Sequence, residues 1–116
     1  MVQYSPQLDS AFAALSDPTR RGILEQLGRS DASISDLAAK FEITLTGLKK
    51  HVHILEQSGF VTSKKVGRVR TCRLEPGPMR TLEQWIAEHR AIWETHFDRL
   101  SHVLDDAFPT DQGDRR

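Results

Sequence analysis

The cationic side chains of this chain are concentrated in one block. Residues 44–73 contain seven Lys or Arg and one Glu, a net charge of +6, although the chain of 116 residues has a net charge of zero. Residues 1–43 carry −2 and residues 74–116 carry −4. A basic run is most often a solvated surface, but a local basic block in a neutral chain is also the electrostatic signature of a phosphate-binding face.

The first half of the block has the pattern of a short helix. Leu48, Val52 and Leu55 recur at helical spacing, and a glycine follows where the helix would end. Lys49 and Lys50 lie off that apolar face. Because the apolar face must pack inward, the basic face is left free. A helix of this size fits the major groove of duplex DNA.

The second half predicts a basic hairpin. Residues 60–65 and 69–74 are rich in Val and Thr, and Val66-Gly67-Arg68 forms a turn between them. Such a hairpin grips phosphates beside the groove, or places Arg68 in the minor groove. The two halves together predict a winged helix that binds double-stranded DNA. The predicted DNA-binding residues are Thr44, Thr46, Lys49, Lys50, His53, Lys64, Lys65, Arg68 and Arg70.

Helices are also predicted ahead of the basic block. Apolar spacing indicates a first helix over 7–15, and Asp17 followed by proline opens a second helix, which Gly28 closes. Ser33 begins the capping pattern of a third helix. Thr44 then caps the basic helix after very few residues, which is the arrangement of a helix-turn-helix.

The last third of the chain predicts one long helix, roughly 78–107. Its apolar positions alternate by four and three, as in a coiled-coil seam, and a second stripe widens the apolar surface. We expect part of this surface to cover the domain and the rest, with the first helix, to pair with a second copy of the chain. The predicted dimer-interface residues are Leu8, Phe12, Leu82, Trp85, Ile86, Trp93, Phe97, Leu100 and Leu104.

Length and composition fit one domain over 1–108 with a frayed polar tail over 109–116. The expected fold is mainly α with a small β-hairpin wing (α+β), a winged helix-turn-helix with a long C-terminal dimerisation helix. There is no apolar run of about 18 residues and no signal-peptide layout, so no membrane partner is expected. A single cysteine fits a reducing, cytoplasmic location. No catalytic motif is evident, so an enzyme is not expected.

Three motifs follow one another in order. They are Leu15-Ser16-Asp17-Pro18-Thr19-Arg20-Arg21, Ser35-Asp36-Leu37-Ala38 and Lys50-His51-Val52-x-x-Leu55-Glu56-x-x-Gly59-Phe60-Val61. In this order and spacing, from about Leu8 to Leu104, the chain resembles the ArsR-type winged-helix repressors of bacteria. The resemblance implies a homodimer that binds operator DNA and usually represses transcription. The stretch Ile92-Trp93-Glu94-x-x-Phe97-Asp98-Arg99-Leu100 is similar to a branch of that family with no obvious metal site.

The resemblance to metal-sensing members of that family would imply one of two kinds of metal site. The residues of this chain depart from the pattern of both sites. Ser33-Ile34-Ser35-Asp36-Leu37 replaces a Cys-Val-Cys-Asp-Leu motif, and serine is a poor ligand for soft metals. On the last helix His102 and Asp105 match half of a carboxylate–histidine site, but Ala91 cannot ligate and His89 is misplaced. No cofactor is therefore expected. Two alternatives stay open: a zinc-type repressor with a site on the last helix, and a protein-interaction module without DNA binding. No effector is indicated.

Four further side chains have two interpretations each. His89 and His96, two turns apart, either pack as polar residues of the seam or sense pH. Cys72 either packs or, if neighbouring arginines lower its pKa, acts as a redox switch. For these three residues we prefer the packing role. His51 either touches DNA or holds its helix against a neighbour, and the sequence favours neither.

Overall fold

The computed structural model describes residues 5–107, which form five helices and three strands. In chain order they are α1 (Pro6–Leu15), α2 (Pro18–Arg29), β1 (Ala32–Ser33), α3 (Ile34–Lys40), α4 (Leu45–Gln57), β2 (Val61–Val66), β3 (Val69–Leu74) and α5 (Gly77–Ala107). The described residues divide into two compact units, 5–82 and 83–107, and the tail predicted over 109–116 lies outside them. The predicted winged helix-turn-helix, mainly α with a long last helix, is confirmed.

Side-chain caps set the starts of the first four helices. Each cap oxygen accepts a hydrogen bond at 3.0–3.3 Å from the backbone N–H three residues further on, which satisfies a donor that has no partner inside the helix. The caps are Ser5, Asp17, Ser33 and Thr44. The caps predicted at Asp17, Ser33 and Thr44 are therefore confirmed.

Two helices end in the same hydrogen-bonding pattern. After α4, Gly59 has φ 81°, and the N–H groups of Gly59 and Phe60 donate to carbonyls of the last turn, as in a Schellman motif. After α3, Glu42 takes the same place with φ 54°, a conformation that favours glycine. The predicted end of α2 at Gly28 is wrong, because α2 continues to Arg29 and the Ser30 N–H still bonds to Gln26.

The wing is a hairpin held by a third strand. β2 and β3 pair antiparallel from Val61↔Leu74 to Val66↔Val69, so that the loop is the dipeptide Gly67-Arg68. Gly67 has φ 63°, which fits a type II′ turn with glycine at its first position. β1 was not predicted: Ala32 pairs with Cys72 in β3, which gives a sheet of order β1-β3-β2.

The core lies in the first unit, where the inner faces of the helices meet the sheet. Its largest fully buried side chains are Phe60, Ile23, Leu37, Leu48, Leu55, Val52, Val61 and Cys72. Leu82, predicted at the dimer interface, is only 2% exposed and belongs to this core, so its apolar surface is buried without a second copy. No helix within residues 5–107 combines the length and the apolarity that crossing a membrane requires.

Cys72 packs inside this core. Burial, and then the nearby Glu56 carboxylate, raise the pKa of its thiol to about 11, although Arg70 acts in the opposite direction. The neighbouring arginines therefore do not activate the cysteine. The reactive form of cysteine is the thiolate, so the structure supports the packing interpretation over the redox one.

Asp17→Ala is expected to lower the free energy of unfolding by about 1 kcal/mol at pH 7, since α2 loses its cap. The pKa of Asp17 is lowered from 3.8, chiefly by the hydrogen bond from the Arg20 N–H and also by His51, while burial opposes the shift. A carboxyl with a lower pKa in the folded state stabilises the fold above its unfolded pKa. That contribution is lost as the pH falls below 3.8 and through the folded pKa.

Urea unfolding at pH 7 and pH 3 measures this difference. Asp17→Asn is the matched control, because its amide oxygen still caps the helix and it is expected to retain most of the stability at pH 7. Equal stability of the wild type and Asp17→Ala at pH 7 would contradict the assigned role of the cap.

Candidate nucleic-acid interface

The rotation of α4 about its own axis determines which residues it presents. Leu48, Val52 and Leu55 are at most 1% exposed. The residues predicted to face DNA are all exposed and occupy positions i, i+3, i+4 and i+7, so they form one stripe on the helix surface. They are Thr46, Lys49, Lys50 and His53. The structure thus brings these four predicted residues together on one face.

The start of α4 lies at the end of the same stripe. The Thr44 hydroxyl accepts a hydrogen bond from the Gly47 N–H at 3.0 Å, and Thr44 itself is exposed. The partial positive charge of a helix N-terminus favours anions such as phosphate. Thr44 therefore fixes where α4 begins, because its side-chain oxygen serves as the cap of the helix.

A cleft of about 240 Å³ lies between α4 and the wing. Lys49 of α4 lines it together with Lys65, Arg68 and Arg70 of the wing, and none of the lining residues within 5–107 is acidic. The Arg70 guanidinium also donates to the Ser63 hydroxyl at 2.9 Å, which anchors it on the strand. Four of the predicted DNA-binding cations thus converge on one concave surface.

Lys64 lies apart from this cleft. Successive residues of a strand point to opposite faces, so Lys64 and Lys65 cannot share one side of the wing. Lys64 lines a different cleft, of about 380 Å³, which also includes Asp31 and Arg73. There Arg73 pairs with Asp31 at 3.4 Å, so part of the positive charge is already neutralised. The structure therefore separates Lys64 from the other predicted wing residues.

His51 faces the interior side of the helix-turn-helix. Its Nδ1 lies 3.3 Å from Arg20 Nη1 and 3.8 Å from Asp17 Oδ2, and 26% of its side chain is exposed. Of the two roles left open for His51, the structure favours contact with a neighbouring element. No role for Arg20 was predicted, because its contact with His51 spans 31 positions of sequence and leaves no local pattern.

The second unit exposes apolar side chains along α5. Of the predicted interface residues on this part of the helix, five are 45–59% exposed: Ile86, Trp93, Phe97, Leu100 and Leu104. On α1, Phe12 is 41% exposed and Leu8 is partly buried against the core. Trp85 is partly buried and stacks on the His89 ring, with the ring centroids 4.1 Å apart.

Two histidines of α5, His89 and His96, contact groups of their own helix. His89 Nδ1 lies 2.8 Å from the Trp85 carbonyl oxygen, and its ring meets Trp93 edge to face. His96 lies beside Phe97, with centroids 6.1 Å apart. Within residues 5–107 no group of three or more His, Cys, Asp or Glu side chains is arranged to hold a metal ion.

Comparison with known sequences places these features in a family. Residues 15–64 match the helix-turn-helix domain family. The chain is 35% identical over 86 residues to an uncharacterised HTH-type transcriptional regulator of Bacillus subtilis, YuzN, covering 67% of this chain and 94% of that protein. It is 34% identical over 61 residues to the transcriptional repressor SdpR of the same species, covering 53% of this chain and 68% of that protein.

Solved structures of transcriptional regulators are also similar to this chain. An ArsR family transcriptional regulator is 47% identical and superposes with a TM-score of 0.75, covering 81% of this chain and 97% of that chain. A homodimeric winged helix-turn-helix DNA-binding domain from Mycobacterium bovis shares the fold at 18% identity, with a TM-score of 0.58 and coverage of 85% and 95%. The chain belongs to the ArsR family of winged helix-turn-helix transcriptional regulators, which are DNA-binding proteins and not enzymes.

Proposed function

We propose that this protein is a homodimeric repressor that binds a two-fold-symmetric operator in a sequence-specific manner and acts in the cytoplasm, where the operator lies. The observation that carries the proposal is the cleft in which Lys49 of α4 meets Lys65, Arg68 and Arg70 of the wing. A groove-reading helix and a phosphate-binding wing need this juxtaposition. The similarity to the repressor SdpR supports repression as the mode of action.

In this proposal α4 reads the major groove with its exposed stripe. Lys49 and Lys50 contact guanine edges or phosphates, and Thr46 and His53 lie one turn away on the same face. Base contacts supply specificity, whereas phosphate contacts supply most of the sequence-independent affinity. The exposed position of these residues means that they can be changed with little effect on the core.

The apolar stripe of α5 supports a dimer. Trp93, Phe97 and Leu100 are 45–59% exposed in a single chain, and burying apolar surface stabilises an assembly by about 25 cal/mol per Å². An uncovered apolar patch of this kind usually marks an interface. The M. bovis domain of the same fold is homodimeric, which supports the same assembly here. A dimer holds two recognition helices at a fixed spacing, as a two-fold operator needs.

Two rival proposals predict different behaviour. A zinc-type repressor would use His89, His102 and Asp105 of α5, and its dimerisation or operator binding would change when zinc is added after chelation. A protein-interaction module would bind no operator at all. We favour the metal-independent repressor because the cleft brings four cations together beside α4, as a phosphate-binding surface requires, and because Ala91 interrupts the ligand pattern of α5.

Lys49→Ala is expected to weaken operator binding by about 10- to 100-fold, the effect of removing one good base or phosphate contact. Its melting temperature is expected to stay within about 2 °C of the wild type, because Lys49 is exposed. Arg90→Ala is the control, since it removes one cation from α5, where Arg90 pairs with Glu94 at 3.7 Å. Equal affinities of Lys49→Ala and Arg90→Ala in anisotropy titrations would contradict the groove assignment.

Lys64 and Lys65 form a matched pair for testing the wing. Lys65→Ala is expected to reduce the slope of log affinity against log salt by about one, because one phosphate contact and its released counterions are lost. Lys64→Ala removes the same charge from the opposite face and is expected to leave the slope nearly unchanged. Salt titrations on operator and random duplexes measure both variants. An equal loss of slope in the two variants would show that only the total charge matters.

Trp93→Asp is expected to weaken dimerisation on the order of 100-fold and to weaken operator binding together with it, because a charge replaces a large apolar contact. Ala91→Asp is the control, since it adds the same charge about 200° around the helix from position 93. Sedimentation at micromolar concentration in chelator measures the dimer content. A monomeric wild type, or a fully dimeric Trp93→Asp, would overturn the proposed interface.

A further inference from the structure

One cationic side chain joins the end of α1 to the recognition helix. The Arg20 guanidinium donates through Nε to the Ala14 carbonyl at 2.9 Å and through Nη2 to the Ala13 carbonyl at 3.0 Å. Its remaining nitrogen, Nη1, lies 3.3 Å from His51 Nδ1 on α4. The planar fork of arginine thus reaches groups on two helices with a fixed geometry, whereas the donors of a lysine all lie on one nitrogen.

Asp17 completes the group from the start of α2. Its Oδ2 accepts a hydrogen bond from the Arg20 backbone N–H at 3.0 Å and lies 3.8 Å from His51 Nδ1. The Asp17 and His51 side chains are 32% and 26% exposed, so water reaches both only in part. The hydrogen bonds of Arg20, which lies on α2, therefore tie α1, α2 and α4 to one another, and Asp17 adds a carboxylate 3.8 Å from His51. None of the three side chains belongs to the exposed stripe of α4.

Small residues bring α1 close enough for this contact. Ala11 and Ala14 are completely buried, and the apolar packing around them is non-directional, so it resists separation of the helices better than rotation between them. Directed hydrogen bonds from a rigid guanidinium restrict the angle between α1 and α4, which apolar packing alone restricts only weakly. α4 is 13 residues long, about 20 Å, so a tilt of roughly 10° moves its end by about 3.4 Å, one base-pair step.

We propose that Arg20, Asp17 and His51 form a positioning network that sets the angle between α1 and α4 and thereby determines which half-site spacing the dimer accepts. The proposal rests on the proposed function, in which α4 lies in the groove, and on the dimer interface predicted from the sequence, to which α1 contributes Leu8 and Phe12. A change in the angle between α1 and α4 occurs in both subunits, because the two-fold axis relates them. The displacements of the two α4 helices therefore add in the distance between them.

The experiment uses the operator obtained by selection from random duplexes, together with versions that carry one base pair more or one fewer between the half-sites. For each protein the measured quantity is the ratio of affinities for the native and altered spacings. We expect the wild type to discriminate by at least about 10-fold per inserted or deleted base pair. Because both affinities come from one sample, an unfolded fraction cancels from the ratio.

His51→Leu removes the ring nitrogen that accepts a hydrogen bond from Arg20. Arg20→Lys keeps the positive charge but loses the planar guanidinium. Both are expected to reduce the spacing ratio about fivefold or more. His51→Asn places an amide oxygen near the position of Nδ1 and is expected to retain the wild-type ratio within about twofold. His53→Leu, on the exposed stripe, is expected to weaken binding to all spacings equally and to leave the ratio unchanged.

Wild-type ratios in both His51→Leu and Arg20→Lys would overturn the network, even if their affinities fell. A wild type that binds its operator without discriminating between spacings would also overturn it. Absence of any operator preference in the wild type would instead overturn the proposed function on which the network rests. The two failures are therefore distinguishable.

Discussion

The exposed stripe of α4 faces solvent because three other side chains of the same helix are buried. Leu48, Val52 and Leu55 are at most 1% exposed, and burying a side chain of this size favours folding by about 1.5–3 kcal/mol. All three lie on one face, so their burial fixes the rotation of α4 about its own axis. Rotating the helix to hide Lys49 would expose these side chains and bury a charge, and both changes are unfavourable.

The wing is held in place by backbone pairing rather than by side-chain packing at its tip. β3 lies between β2 and the short strand β1, and Ser33 of β1 pairs with Thr71 of β3. The same Ser33 caps α3 through its hydroxyl. The start of the helix-turn-helix and the wing are thereby fixed to one another. This arrangement allows Lys65, Arg68 and Arg70 to share a cleft with Lys49 instead of moving independently in solvent.

Much of the fold could be predicted because its determinants are local. The caps at Asp17, Ser33 and Thr44 bond to N–H groups three residues away, and Gly59 and Gly67 occupy positive-φ positions that glycine favours. The alternation of apolar residues likewise indicated which face of α4 is exposed. Local patterns of this kind are visible in the sequence without knowledge of the tertiary structure.

The remaining features depend on contacts that a local pattern does not reveal. β1 has two residues, too few for alternation to show, and Glu42 takes a positive φ without being glycine. The opposite faces of Lys64 and Lys65 become clear only with the register of the hairpin. Leu82 fits the apolar seam of α5, but its place in the core depends on elements distant in sequence. The contact of Arg20 with His51 is non-local for the same reason.

Two separate sets of contacts therefore position the basic surface of α4. Apolar burial sets the rotation of α4, and polar contacts at its inner side set its angle to α1. Neither set uses the exposed cations, so the residues proposed to contact DNA can vary while the scaffold stays the same.

The most direct measurement of the central claim is an anisotropy titration of the wild-type protein, in chelator, on the operator selected from random duplexes and on a scrambled duplex of the same length. We expect at least about 1,000-fold tighter binding to the operator, with two protomers bound per site. Equal affinity for the two duplexes, or a single protomer bound per site, would contradict that claim.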